Sequence, residues 1–191
     1  MAADASGVLG AGVLGGINHL ALVCRDMART VDFYQGLLGM PLVKTVELPE
    51  GMGQHFFFDC GGGNLLAFFC FPDAPDAAPG IAAPAARPDT GDITSAVASM
   101  NHVALSVPVE ALDGCRRRLE AAGVPCSVVV YHDDSEYGVA EQDHPGVFVR
   151  SVYFTDPDGI LLELAASTRP FGPGDVRHTP VTRVTGASPT A

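Results

Sequence analysis

Three side chains in this chain have the types and positions to share one metal ion: His19, His102 and Glu163. His19 stands in Asn18-His19-Leu20-Ala21-Leu22, and the pattern returns as Asn101-His102-Val103-Ala104-Leu105. Read as strands, these segments put His19 on a face with Ala21 and Val23, and His102 with Ala104 and Ser106. Glu163 shares a face with Leu161 and Ala165, while Tyr153 points with Ser151 and Thr155. An ionisable group in an apolar strand is costly to bury without a partner. A lone histidine so placed is more often a hydrogen-bonded core residue. Two at repeat-related positions, with a carboxylate in the last strand, call for a common partner, and a divalent ion fits. Two imidazoles and one carboxylate occupy one face of an octahedral ion and leave adjacent positions open. That set suits Fe(II), and Mn(II) or another divalent ion is also compatible.

The elements that must position these residues follow from the same repeat. In the first copy Asp26 is the expected N-cap, Met27, Val31, Tyr34 and Leu38 share a helical face, and Gly39 supplies the stop. In the second, Pro108 sits near the start, Leu112, Cys115 and Leu119 form the stripe, and Gly123 ends it. Gly39-Met40-Pro41 and Gly123-Val124-Pro125 then lead into strands. Phe56 to Asp59 and Leu65 to Phe68 match Val152 to Thr155 and Leu161 to Leu164, which pairs Ala67 with Glu163. Both copies read strand, helix, strand, strand, strand, an α+β organisation of two βαβββ modules. The expected boundaries are a flexible leader at 1–15, modules at 16–71 and 100–171, a Pro/Ala/Gly-rich linker at 72–99, and a disordered tail at 172–191.

Composition narrows the partners. Only 11 Lys and Arg stand against 22 Asp and Glu, a formal net charge of −11. Such a balance opposes phosphate backbones and anionic lipid surfaces, so neither nucleic acid nor a membrane is an expected partner. The five cysteines show no CxxC spacing and read as reduced thiols rather than a disulfide framework. Residues 1–16 carry no Lys or Arg ahead of an apolar stretch, and no stretch approaches the roughly 20 apolar residues of a membrane span. A cytoplasmic protein is the expectation.

The paired Asn-His-x-Ala-Leu strands and the closing run Asp156-Pro157-Asp158-Gly159-Ile160-Leu161-Leu162-Glu163 resemble the vicinal oxygen chelate superfamily. That superfamily includes glyoxalases, epimerases, bleomycin-resistance proteins and type I extradiol dioxygenases. The resemblance spans residues 16 to 168 and implies a cup-shaped, partly closed mixed sheet around the metal. Glyoxalase-type members commonly use four protein ligands, whereas Ala67 here occupies the place of the first-module acid. The His, His, Glu set left over is the extradiol pattern. A second run, from His144 and Pro145 through Ser151, Val152, Tyr153, Asp156, Pro157 and Gly159 to Glu163, resembles the extradiol signature. There the His and Tyr contact substrate hydroxyls or oxygenated intermediates. Gln142 departs from that signature, and Gly63-Asn64 stands where the two-domain enzymes place their acid–base histidine; His55 is the candidate substitute. The resemblance thus implies an Fe(II)-dependent dioxygenase opening a small catechol-type aromatic with dioxygen, with His144, Tyr153 and His55 as catalytic residues, in a chain compatible with a homodimer. A non-oxidative isomerase, epimerase or lyase, and a metal-free ligand-binding protein, are the rival readings.

Overall fold

The architecture is that of a computed structural model, which describes residues 15–76, 87 and 95–180. In the first half, β1 (His19–Val23) leads to helix α1 (Met27–Val31), then β2 (Leu42–Leu48), β3 (Gly53–Asp59) and β4 (Leu65–Cys70). These strands form one sheet in the order β1-β4-β3-β2. In the second half, β5 (Val103–Ser106) leads to α2 (Leu112–Ala121), β6 (Val130–His132), β7 (Val139–Ala140), β8 (Val149–Thr155) and β9 (Leu161–Ser167), with the order β5-β9-β8-β6-β7. The strand before each helix runs parallel to the last strand of its half, and the other pairs are antiparallel.

The two parallel ladders share one register. Ala21, two residues after His19, faces Ala67, and Ala104, two after His102, faces Glu163. This is the correspondence of Ala67 with Glu163 that the repeat predicts. Burial follows the alternation. Along β1, His19, Ala21 and Val23 are exposed while Leu20 and Leu22 pack on the core; along β5, Ala104 and Ser106 are exposed while Val103 and Leu105 pack on it.

The helices depart from the simple reading. Asp26 caps α1 as predicted, its Oδ1 accepting from the Arg29 amide at 3.1 Å. Only five residues are α-helical, however, and Asp32–Leu37 widen into a π turn. The Leu38 amide reaches back to the Phe33 carbonyl at 2.9 Å. The adjacent Phe33 and Tyr34 of this turn both enter the core. Gly39 then turns the chain with φ +74°, and Gly123 does the same after α2 at +83°. The strand expected directly after Pro125 starts only at Val130. Ser127 interrupts the ladder: its amide donates to the Tyr153 carbonyl at 2.8 Å, but its hydroxyl, not its carbonyl, receives the Tyr153 amide at 2.9 Å.

Both helix-covered faces contribute to a single apolar core. Met27, Tyr34, Phe58, Leu66 and Phe68 of the first half join Leu112, Leu119, Val152, Phe154, Leu162 and Leu164 of the second. The Asp156-Pro157-Asp158-Gly159 turn also ties the halves together. Asp156 Oδ1 accepts the Asp158 and Ile160 amides at 2.9 and 2.8 Å, its Oδ2 accepts the Tyr34 hydroxyl at 3.1 Å, and Asp158 Oδ2 accepts the Arg25 amide at 3.0 Å. Leader residues 1–14, most of the expected linker and tail residues 181–191 lie outside the described residues. Of the tail, Asp175 forms a two-point pair with Arg169, and Arg177 pairs with Asp134. Among the described residues no helix is long and apolar enough to cross a membrane.

Tyr34→Phe keeps the fully buried ring but leaves Asp156 Oδ2 without its protein partner. The expected cost is about 1–3 kcal/mol, read as a lower urea midpoint with an unchanged slope. A midpoint equal to the wild type's would show that the inter-half bond contributes nothing.

Candidate metal centre

The second half builds its site on one face of its sheet. Register places Ala104, Glu163 and Tyr153 in one row, and Ser151 with Ala165 and Val130 in the next. Glu163 is only 5% exposed, so its carboxylate depends on its neighbours. His102 Nε2 lies 2.9 Å from Oε2, and the Ser151 hydroxyl donates to Oε1 at 2.5 Å. Burial pushes the Glu163 carboxyl up, but the hydrogen bonds from His102 and Ser151 outweigh it and hold the group below its ordinary value. Tyr153, 5% exposed, presents its ring edge-on to His102 at 5.8 Å. Burial first, then the Glu163 charge, drives its phenol upward, so it remains a protonated donor. His132 completes the group, with Nε2 3.2 Å from the Tyr153 hydroxyl. It escaped the sequence reading because only the pairing of β6 with β8, with His132 opposite Val149, brings it to this face.

Asparagine governs which imidazole nitrogen is free. Asn101 Oδ1 is 2.7 Å from His102 Nδ1, and Asn18 Oδ1 is 2.8 Å from His19 Nδ1. An amide oxygen only accepts, so each Nδ1 carries a proton; a neutral ring then keeps its lone pair on Nε2, whereas a doubly protonated His102 donates from Nε2 to Glu163. A lone pair 2.9 Å from a carboxylate requires a cation between or a second proton. Two donors bound at about 2.0–2.2 Å and at right angles on one ion stand about 3 Å apart, so His102 and Glu163 fit a shared divalent ion.

The first half carries a different set on the corresponding face. His19 is exposed beside Phe57, with ring centroids 5.8 Å apart. His55 stacks on Phe69 at 3.6 Å and lies 4.3 Å from Phe57. Its Nε2 is buried with no hydrogen-bond partner. Burial, then the nearby His19, lowers its pKa, which keeps the ring neutral around pH 7. Phe57 faces Ala67 as Tyr153 faces Glu163, so an apolar ring stands where the second half has a phenol.

The structure joins His102 with Glu163 and Tyr153, and His19 with His55, but it does not bring the two sets together. Among the described residues no three His, Cys, Asp or Glu side chains are grouped to hold a metal ion. His144 sits apart in the loop before β8. Its Nδ1 accepts the Gly146 amide at 3.0 Å and its Nε2 pairs with Asp133 at 3.1 Å. The cavities lie elsewhere too. One of about 460 Å³ is bordered by residues of both halves, among them Leu38, Met40, Cys60, Leu105, Cys115 and Arg118, and includes none of the candidate residues.

Each of the two sheets thus offers an imidazole at its edge strand, on the face away from the common core. A structure of a glyoxalase/dioxygenase from Nostoc punctiforme shares the fold with TM-score 0.58 at 20% identity, covering 85% of this chain and 98% of that one. Among curated proteins, the chain is 25% identical to Glyoxylase I 4 of Arabidopsis thaliana, across 79% of this chain and 70% of the relative. It is 28% identical to Metallothiol transferase FosB of Shouchella clausii, across 82% and 83%. Residues 16–164 match the model of the Glyoxalase/Bleomycin resistance protein/Dioxygenase superfamily, and the chain belongs to it. Members of this superfamily are largely metal-dependent enzymes, typically use a divalent metal, and are commonly dimers acting on small molecules.

The lowered Glu163 pKa has a stability consequence in metal-free protein. Its stabilising contribution is present above the unfolded value near 4.5 and is lost as pH falls through the folded one. Between about pH 6 and pH 3 the urea midpoint of the wild type should fall more steeply than that of Glu163→Gln. Parallel curves would show that the His102 and Ser151 contacts do not favour the carboxylate.

Proposed function

We propose that this chain is a divalent-metal-dependent enzyme acting on a small substrate with adjacent oxygen atoms, its ion held by His102 and Glu163 of one copy and His19 of a second. The carrying observation is the His102–Glu163 contact at 2.9 Å, with Nδ1 of both histidines held by asparagine so that Nε2 is the nitrogen each would offer an ion. Three features of the fold support the second copy. Within one chain the helix-side faces are consumed by the common core, while His19 and His102 on the opposite faces remain exposed along the strand edges. β1 and β5 are also edge strands of their sheets. Setting the β1 edge of one copy against the β5 edge of another would bring His19 toward the carboxylate.

When bound, the ion supplies Lewis-acid polarisation of the substrate oxygens. Ser151 fixes the Glu163 carboxylate, Tyr153 donates a hydrogen bond to a substrate oxygen, and His132 exchanges a proton with the Tyr153 hydroxyl. His55, neutral and facing outward with His19, takes a substrate proton from the opposing wall. Phe57 and Phe69 provide the apolar part of that wall. His144 acts by fixing Asp133, next to His132, rather than by touching substrate.

The reaction we favour is non-oxidative: proton transfer beside a polarised oxygen, or addition of a thiol to the polarised substrate. The engagement of His144 with Asp133 weighs against its use as the extradiol acid–base group, and the similar proteins include a glyoxylase and a metallothiol transferase. Extradiol cleavage of a catechol by dioxygen with Fe(II) is the second reading, carried by the run from His144 through Tyr153 to Glu163.

Two experiments test this. His19→Ala and Glu163→Ala homodimers should each lose stoichiometric metal, whereas heterodimers of the two variants should regain one of two sites, because one interface then combines an intact His19 with an intact Glu163. Metal-free heterodimers would refute the shared site. In the second experiment, protein loaded with Mn(II) or Fe(II) is offered thiol acceptors and 2-oxoaldehyde thiol adducts without air, and catechols in an oxygen electrode. Anaerobic turnover that falls about 10²–10⁴-fold in Tyr153→Phe and His55→Ala, with metal retained, is the expected result. Dioxygen uptake with a catechol and no anaerobic turnover would replace it with the ring-cleaving reading.

A further inference from the structure

All five cysteines are free thiols, yet two of them are neighbours across a ladder. β1 and β4 pair in parallel with Val23 opposite Phe69. The ladder continues one step further, since the Cys24 amide donates to the Phe69 carbonyl at 2.9 Å. The next residue on each chain is a cysteine, Cys24 and Cys70. Opposed residues in a ladder point to one face, and alternation returns both cysteines to the side of Leu22 and Phe68. Both thus pack in the same core cluster. Neighbouring strands run about 4.8 Å apart, within the roughly 4.4–6.8 Å between α-carbons that a disulfide spans. The Cys70 thiol also lies 3.7 Å from the Arg25 carbonyl, which draws it toward the end of β1.

The two thiols are unequal. Cys24 is 1% exposed, whereas Cys70 is half-buried. Burial, partly offset by the Thr30 hydrogen bond and reinforced by Cys70 itself, pushes the Cys24 thiol up to about 11. Cys24 therefore cannot meet an oxidant first. The other three are occupied differently: Cys60 donates to the Asn64 carbonyl, Cys126 to the Val124 carbonyl, and Cys115 accepts from Arg118.

We infer that Cys24 and Cys70 form a reversible disulfide, with a low-molecular-weight disulfide such as glutathione disulfide as oxidant. Cys70 gives up its proton and attacks one sulfur of the oxidant, whose S–S bond breaks and releases one thiol. Cys24 then gives up its proton and attacks the Cys70 sulfur of the mixed disulfide, expelling the second thiol. Two protein thiols are oxidised, one disulfide is reduced to two thiols, and two electrons move. The new bond staples the end of β1, the strand that carries His19, to β4.

The test uses the full chain, reduced, freed of reductant and incubated folded with glutathione disulfide. Wild type should lose two of its five titratable thiols and yield one linked peptide pair, Cys24 with Cys70. Cys60→Ser should oxidise like the wild type. Cys70→Ser, at a half-buried position that tolerates a hydroxyl, should keep all its remaining thiols, and dithiothreitol should reverse the wild-type change. Retention of all five thiols in folded wild type, a link to another cysteine, or a mixed disulfide at Cys70 that never closes would each overturn the inference.

Discussion

A carboxylate buried in the middle of a strand dictates more of this structure than any other group. Glu163 sits in β9 between Leu162 and Leu164, both of which enter the common core. A slip of one residue in register would exchange them and drive the charge into the apolar layer between the halves. The register of β9 against β5 and β8 is therefore held by Leu162, Leu164 and Ala166 on one side and by the needs of Glu163 on the other. Once it is fixed, Ser151 and Tyr153 must lie next to the carboxylate, because alternate residues of β8 face alternate residues of β9. Packing on one face thereby positions polar chemistry on the other.

The same alternation governs how the halves meet. Each half has one apolar face under its helix and one face bearing histidine, and a single chain can bury only one pair of them. It buries the helix-side pair, sealed by Tyr34 against Asp156. Burial pushes the Asp156 carboxyl above its usual range, partly offset by the Ile160 amide and the Tyr34 hydroxyl, which makes the turn a polar anchor inside the seam. The histidine faces are what remains for a ligand or another copy. On the proposed reading, the open faces and the incomplete ligand set within one chain are two results of one packing choice.

Much of this was legible in the sequence. The repeated Asn-His strands, the Asp26 cap, the glycine stops and the correspondence of Ala67 with Glu163 rest on local periodicity and turn chemistry, and they stand in the structure. What the sequence hid was non-local. The π turn at Asp32–Leu37, with Phe33 and Tyr34 both buried, has no counterpart in the helical-face pattern. Ser127 delays β6 through a side-chain bond to β8 that depends on tertiary pairing. His132 gains its role only through that pairing, and His144 is diverted to Asp133 by a loop contact. The asparagines were visible as part of a motif, but their function, assigning the proton on each imidazole, became clear only with distances.

The two histidine faces are not copies of each other, and the difference is chemically directed. Where the second half has Glu163 the first has Ala67, where it has Tyr153 the first has Phe57, and where it has Ser151 the first has His55. The substitutions that remove charge and hydroxyls lie beside an imidazole whose Nε2 is buried without a partner. A wall of Phe57 and Phe69 set opposite the Glu163 cluster would exclude water and strengthen every interaction between them, as a low local dielectric does. On the proposed reading, a second carboxylate on the first face would instead add a fourth ligand. On that reading the two repeat-related strands divide the work, one face binding charge and the other excluding water.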